Sequence, residues 1–460
     1  MALHTRNERM VFHIMLTVLG EIEPEKLDHA ISVAMHAHPT MRSILRVRSF
    51  RCCREERGDF GENILTVRDC GCRHVGKAFI QRDSLVDQNG EIDQWINQPL
   101  EPEDSTPVRV LLLRHTLDEC ILVFTFHHSA ADGLRAVRFI KEVVDTYGGE
   151  GTAELPHEED TCSCHRREEV LSLMETTRRR TKHFYLNLLR NLYDRFIVLP
   201  LSPPARLVHD RFERPSGEIS FVCRRLNPSQ LNRLTSGARE SGATPNDVLL
   251  AGCFRTVEKW NQLHGRTCNK ISVMMPVDVG RRSSMNVISN QVSFISPFTT
   301  RKDRADPASL LQKTARARAN LLKNGSLVSI IYFTYFISFL PLPLLRAVAR
   351  LFLLTGVHVD SILLTNLGSI WSRPETDGAR ASLGKAAISE VSCIAPVITP
   401  FRMSLLASTY NGALNISLSY RTCLVSGGKA RAFLDMYFGE LLSDENVDAA
   451  TMGTFTVAGG

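Results

Sequence analysis

No C-x-x-C pair occurs among the 12 cysteines of this 460-residue chain. Cys52 and Cys53 are adjacent, Cys70 and Cys72 flank a glycine, Cys162, Cys164 and His165 form C-S-C-H, and six cysteines stand alone. That spacing excludes the common zinc frameworks and offers no disulfide scaffold, so reduced thiols, no metal site and a cytoplasmic setting are expected. Charge blocks are lacking too. With 55 Lys+Arg against 49 Asp+Glu the net charge is +6, spread along the chain, and nucleic acid is not an expected partner. The opening has no signal-peptide pattern, since its first apolar run is broken at His13. Hydrophobic residues make up 43% and charged residues 23%, enough to bury two or three ordinary cores and too much for a disordered chain.

Residues 327–345 form a long stretch free of charge, which Pro341 and Pro343 interrupt. Its first reading is a buried helical pair with a proline break. A contact with lipid through residues 327–354 is the second reading, and a membrane span the third.

Elsewhere the pattern alternates between strand and helix. Residues 9–18 read as a strand, and Pro24 opens a helix that Pro39 stops. The polar, glycine-bearing stretch 52–89 carries no readable element. Residues 108–114 and 121–126 form a predicted hairpin, and Leu134, Val137, Ile140 and Val144 mark an amphipathic helix closing at Gly148-Gly149. A helix over 166–195 is expected to present Leu171, Leu186, Leu189 and Leu192 to a neighbour, while Arg178 to Arg180 read as a solvated face. Pro200, Pro203, Pro204 and Pro215 then make a stiff crossover. Beyond it, residues 218–226 read as a strand, 228–241 and 245–263 as helices, and 271–277 and 291–296 as strands. The fold class is α/β in two lobes, with boundaries at 1–147, 148–215 and 216–460.

The sharpest signal is H-H-x-x-x-D-G, in His127, His128, Asp132 and Gly133, placed after a strand and before a helix. A histidine near neutrality can take a proton from a hydroxyl or amine as that group attacks an acyl carbon. His127 and the tight turn would fix the ring of His128. Asp132 is too close in sequence to reach back as a triad acid, so an arginine is its expected partner. Gly133 would leave room for substrate. The non-catalytic alternative is a buried histidine pair with Asp132 as an N-cap.

These residues resemble the signature of the chloramphenicol acetyltransferase-like acyltransferases, which include condensation domains, polyketide-associated acyltransferases and wax ester synthases. His38-Pro39-Thr40-Met41-Arg42, Pro99-Leu100-Glu101, Pro107-Val108-Arg109, Asn246-Asp247-Val248-Leu249-Leu250-Ala251 and Thr365-Asn366-Leu367-Gly368 are similar to further elements of that group. The resemblance implies two lobes in a V with a tunnel between them, where a thioester and an acceptor meet at His128. It implies direct attack without metal or acyl-enzyme, and an arginine from the second lobe bound to Asp132. Gly280 stands where that arginine is expected, so Arg281 or Arg282 takes its place in this reading.

Asn290 is the first candidate to donate to the acyl oxyanion, with Thr365 and Asn366 behind it. For each, a turn residue bonding its own backbone is the alternative. No cofactor is expected beyond acyl-CoA as cosubstrate, with an acyl-carrier protein as the other donor. The acceptor is a small-molecule alcohol or amine, and the expected product is an ester made by a monomeric O-acyltransferase. A free-standing amide-forming enzyme and an inactive binding relative are the other readings.

Overall fold

The computed structural model describes residues 10–48, 51–56, 64–69, 80–81, 84–85, 90–115, 118–149, 175, 184–198, 201–210, 217–279, 290–324, 326–337, 339–341, 343–347, 360–371, 381–398 and 401–442. Val11–Leu19 is apolar except at His13 and Thr17, and eight of its nine residues are buried. A strand covered on both faces belongs at the centre of a sheet. It pairs antiparallel with Glu119–His127 on one side and Ala386–Ile394 on the other. Val108–Arg114, parallel Leu65–Asp69 and short Ser382–Leu383 complete a six-stranded sheet. Pro24–Ala37 and Gly133–Gly148 cover one face, where Leu27, Ile31, Phe126, Phe139 and Ile140 form the core. The other face sets Met15, Trp95 and Val123 against Phe221 and Cys223 of the second lobe.

The second sheet runs in the order Val292–Ile295, Lys270–Asp278, Ile362–Ser369, Met403–Tyr410, Ala413–Arg421 and Ile219–Leu226, with Phe298–Thr300 as a seventh strand paired to Lys270–Asp278. Lys270–Asp278, Ile362–Ser369 and Met403–Tyr410 run parallel, so their carboxyl ends lie on one edge. Pro228–Glu240, Pro245–Leu263 and Gly427–Leu442 pack on this sheet through Leu234, Phe254, Trp260, Phe433 and Tyr437. Their starts follow the capping rules. Asn227 and Gln230 form a capping box, as do Thr244 and Asp247, each followed by a proline in the first turn.

The sheets are not divided where the chain composition changes. The stretch 382–394 lies inside the expected second lobe, 216–460, yet it completes the first sheet. Asn415 Nδ2 donates to the Val391 carbonyl and Ser417 to that of Cys393, which fastens this strand to the second lobe as well. Strand identity is readable from local pattern; a partner about 370 residues away is not.

The uncharged run forms the helix Ser326–Ile337, which meets Phe184–Tyr193 through Phe184 and Tyr332 at 5.8 Å and through Asn191 and Ser329 at 3.1 Å. Among the described residues no helix is long and apolar enough to cross a membrane. Leu186 and Leu189, expected to face a neighbour, are instead exposed at 66% and 65%. The packed stripe on that helix is Phe184 and Leu188, one turn apart. Leu171, Arg178, Arg179 and Arg180 lie outside the described residues.

Phe139 is fully buried and meets Phe126 edge to face at 5.9 Å and His38 at 6.2 Å. Truncation removes a large aromatic volume that the helix and sheet cannot refill. Phe139→Ala is expected to cost about 3–5 kcal/mol, measured as a lower urea midpoint for unfolding.

Candidate active site

Strand alternation sends His127 and His128 in different directions. His127, at the end of its strand, is buried, and its Nδ1 accepts the Ser129 N–H at 3.2 Å and lies 2.8 Å from the Ser129 hydroxyl. An accepting Nδ1 puts the proton of the neutral ring on Nε2. The turn is closed by its backbone. His127 N–H donates to the Pro107 carbonyl, His128 N–H to that of Met10, and Ala130 N–H to that of His127, at 2.7–3.0 Å. His127 therefore holds the turn, and His128 is the ring presented to the other lobe.

His128 stands against the Phe12 ring, with centroids 5.0 Å apart. Burial lowers its pKa below 6.5, against the opposing pull of its own backbone carbonyl and of the Asp132 carboxylate. At neutral pH the imidazole is uncharged. Asn290, from the second lobe, brings Nδ2 to 2.8 Å from the His128 carbonyl and 3.1 Å from His128 Nδ1. The amide expected to face an acyl oxygen thus meets the histidine itself.

Asp132 does cap the helix that follows. Its Oδ1 accepts the Arg135 N–H at 3.1 Å, while Oδ2 accepts Arg135 Nη1 and the Gln291 N–H at 2.9 Å each. Both oxygens are committed away from the imidazoles, in keeping with a carboxylate that shapes the site rather than relays a proton. An arginine does meet Asp132. Arg281 and Arg282 lie outside the described residues. Among those described, the cation on Asp132 is Arg135, from the same lobe and one helical turn on. Arg135 reaches across the lobes, to Asp278 Oδ1 at 3.0 Å and Gln291 Oε1 at 2.8 Å.

Gly133 also plays a different part from the one expected. A Cβ built there would lie 2.6 Å from Leu367 Cδ2, so the missing side chain makes room for a leucine of the second lobe. Thr365 falls on the same face of its strand as Leu367 by the two-residue period. Asn366 is tied up locally: its Nδ2 donates to Asn246 Oδ1 at 2.6 Å, and its Oδ1 accepts the Gly368 N–H at 2.8 Å. That is the turn role, supporting the positive φ of Gly368. Among the described residues no group of three or more His, Cys, Asp or Glu side chains could hold a metal.

Residues that local reading missed are Phe12, Arg135, Asp278, Gln291 and Leu367. Arg135 had a usable signal, since an arginine three residues after an N-cap aspartate shares its helix face. Leu367 and Gln291 had none without the partner lobe.

The family model for the condensation domain matches residues 2–290, including the histidine turn and Asn290. The chain is a member of the condensation domain family. This condensation domain has the two chloramphenicol acetyltransferase-like lobes of its structural relatives. It is similar to the first condensation domain of the calcium-dependent antibiotic synthetase, solved with a substrate analogue, at 13% identity over 95% of this chain and 92% of that one, TM-score 0.67. It is also similar to the epimerization domain from the third module of tyrocidine synthetase B, at 15% identity over 95% and 91%, TM-score 0.63. A third likeness is to the SgcC5 protein from Streptomyces globisporus, in complex with a naphthyl ethanediol and sucrose, at 15% identity over 94% and 92%, TM-score 0.59. Among curated proteins no sequence match is found.

Because Leu367 occupies the space above Gly133, Gly133→Ala should destabilise this condensation domain by about 1–2 kcal/mol. Adding Leu367→Ala should recover part of that cost, a positive coupling that a thermal-shift double-mutant cycle measures. Additive losses would show that the two residues do not press on each other.

Proposed function

We propose that this condensation domain moves an acyl group from a thioester, on coenzyme A or a carrier protein, directly to the hydroxyl of a small-molecule acceptor. The observation that carries the reading is the place of the His128 ring, packed on Phe12 and met from the opposite lobe by Asn290, where desolvation lowers its pKa. When Nδ1 donates its proton to the ring's own backbone carbonyl, Nε2 keeps its lone pair and can act as the base. Asn290, donating to the same carbonyl, holds the ring in place. It acts as a positioning residue rather than through the acyl oxygen.

The hydroxyl oxygen attacks the thioester carbon as Nε2 takes the hydroxyl proton. The tetrahedral oxyanion collapses, the C–S bond breaks, and the departing thiolate takes the proton back from the imidazolium. Ester and thiol are the products, with no acyl-enzyme and no cofactor. The Thr365 hydroxyl is the first choice for a donor to the oxyanion, since it shares a strand face with Leu367 beside the motif. The diol in the SgcC5 complex supports a hydroxyl acceptor. The peptide-synthetase relatives support the second reading, attack by an amine to give an amide through the same base.

Thiol release from acetyl- to palmitoyl-CoA and from acylated carrier proteins, with mixed alcohols and amines, separates these readings. Acceptor-dependent release should fall about 10²–10⁴-fold in His128→Ala. Undiminished release in that variant would overturn the mechanism. Since the His128 pKa is lowered, the base is competent above it, and activity should be lost only as pH falls below about 6.5. An acid limb above that value would contradict the lowered pKa.

A further inference from the structure

Arg135 is 1% exposed and stands between two carboxylates from different lobes. Its Nη1 lies within 3.0 Å of Asp132 Oδ2 in the first lobe and of Asp278 Oδ1 in the second. Its Nη2 holds the side chain of Gln291, whose backbone N–H already donates to Asp132. Gln291 is next in sequence to Asn290, which meets the catalytic ring. One guanidinium therefore ties together the motif carboxylate, the end of strand Lys270–Asp278 and the turn that carries Asn290.

We infer that Arg135 is a positioning residue, a lobe-bridging cation that sets where Asn290 stands against His128, with Asp278 as its counter-charge on the opposite lobe. Two carboxylates within reach of a single nitrogen repel each other once that nitrogen is removed. The lobes then part at this point, and Asn290 withdraws with the strand end. The inference rests on the proposed role of His128 only for its effect on turnover; the bridge itself is a property of the fold.

The bridge should also work with its arginine moved to the other lobe. An arginine at 278 is long enough to fill the space of the Arg135 head group and reach Asp132. The test compares wild type, Arg135→Met, Asp278→Asn and the double variant Arg135→Met/Asp278→Arg. Turnover is measured, and the His128 imidazole is titrated by NMR on histidine-labelled protein, its signal assigned from His128→Gln. Among the described residues, the charged groups at this side of the ring are Asp132, Arg135 and Asp278. Loss of Arg135 leaves Asp132 unneutralised, so the His128 midpoint should rise by about half a pH unit or more, and loss of the Asp278 charge should move it the other way.

Arg135→Met should lower kcat at least about tenfold while KM stays within about threefold. The double variant should return both kcat and the titration midpoint most of the way to wild type. A double variant no better than Arg135→Met overturns the inference, as does Arg135→Met with native kcat and midpoint. Should Arg135→Met fail to fold, Asp278→Asn, at a half-buried rim position, decides alone: an unchanged His128 midpoint overturns the bridge. If wild type is inactive on every donor, the proposed function fails, while the titration still judges the bridge.

Discussion

The site depends on the strand Val11–Leu19 being held on both edges. On one edge it fixes the motif strand, so that Val11 is level with His127 and Phe12 packs on His128. On its other edge it takes a strand from the far half of the chain, and that strand is fastened in turn to the second sheet by Asn415 and Ser417. The two lobes are thereby registered through backbone pairing within the first sheet, which tolerates little slippage, and through side-chain bonds from the second sheet to the same strand. Finer contacts across the cleft, His128 with Asn290, Gly133 with Leu367 and Asp132 with Gln291, rest on that registration.

Adjacent histidines in a turn serve opposite ends here. His127 is enclosed and satisfied by Ser129, and contributes shape. His128 is also desolvated, yet it meets Asn290 from the other lobe, which is why it is the ring proposed as the base. A third imidazole gives the comparison. His13 is buried on the central strand, 3.0 Å from Thr125, and burial together with the nearby Arg109 pushes its pKa down to about 3. Burial alone makes a neutral histidine; His128 adds to it a partner across the cleft.

Much of the local structure was legible in the sequence. The helix Pro245–Leu263 has the predicted bounds, because threonine, proline and aspartate mark its start and its apolar period is long. The motif hairpin and the helix after it also stand where predicted, within a few residues. What could not be read is what crosses space. Arg135 looks like any basic residue of an amphipathic helix until Asp278 is brought beside it. Leu367 looks like the filler of a T-N-L-G turn until it meets Gly133. The exposed Leu186 and Leu189 show the converse, since periodicity marks an apolar stripe but not which of two stripes is covered.

The crossing strand also shapes how the molecule is made. Ser389 Oγ donates to the Thr17 carbonyl, a contact 372 residues apart along the chain. At a synthesis rate of roughly 5–20 residues per second, the central strand of the first lobe leaves the ribosome well before the strand that covers its open edge. Until then an apolar edge with unpaired N–H and C=O groups stands uncovered, the arrangement that invites aggregation. The first sheet is therefore complete only once the far half of the chain has been made. Expression of a fragment ending at the proline-rich crossover would leave that edge open for good.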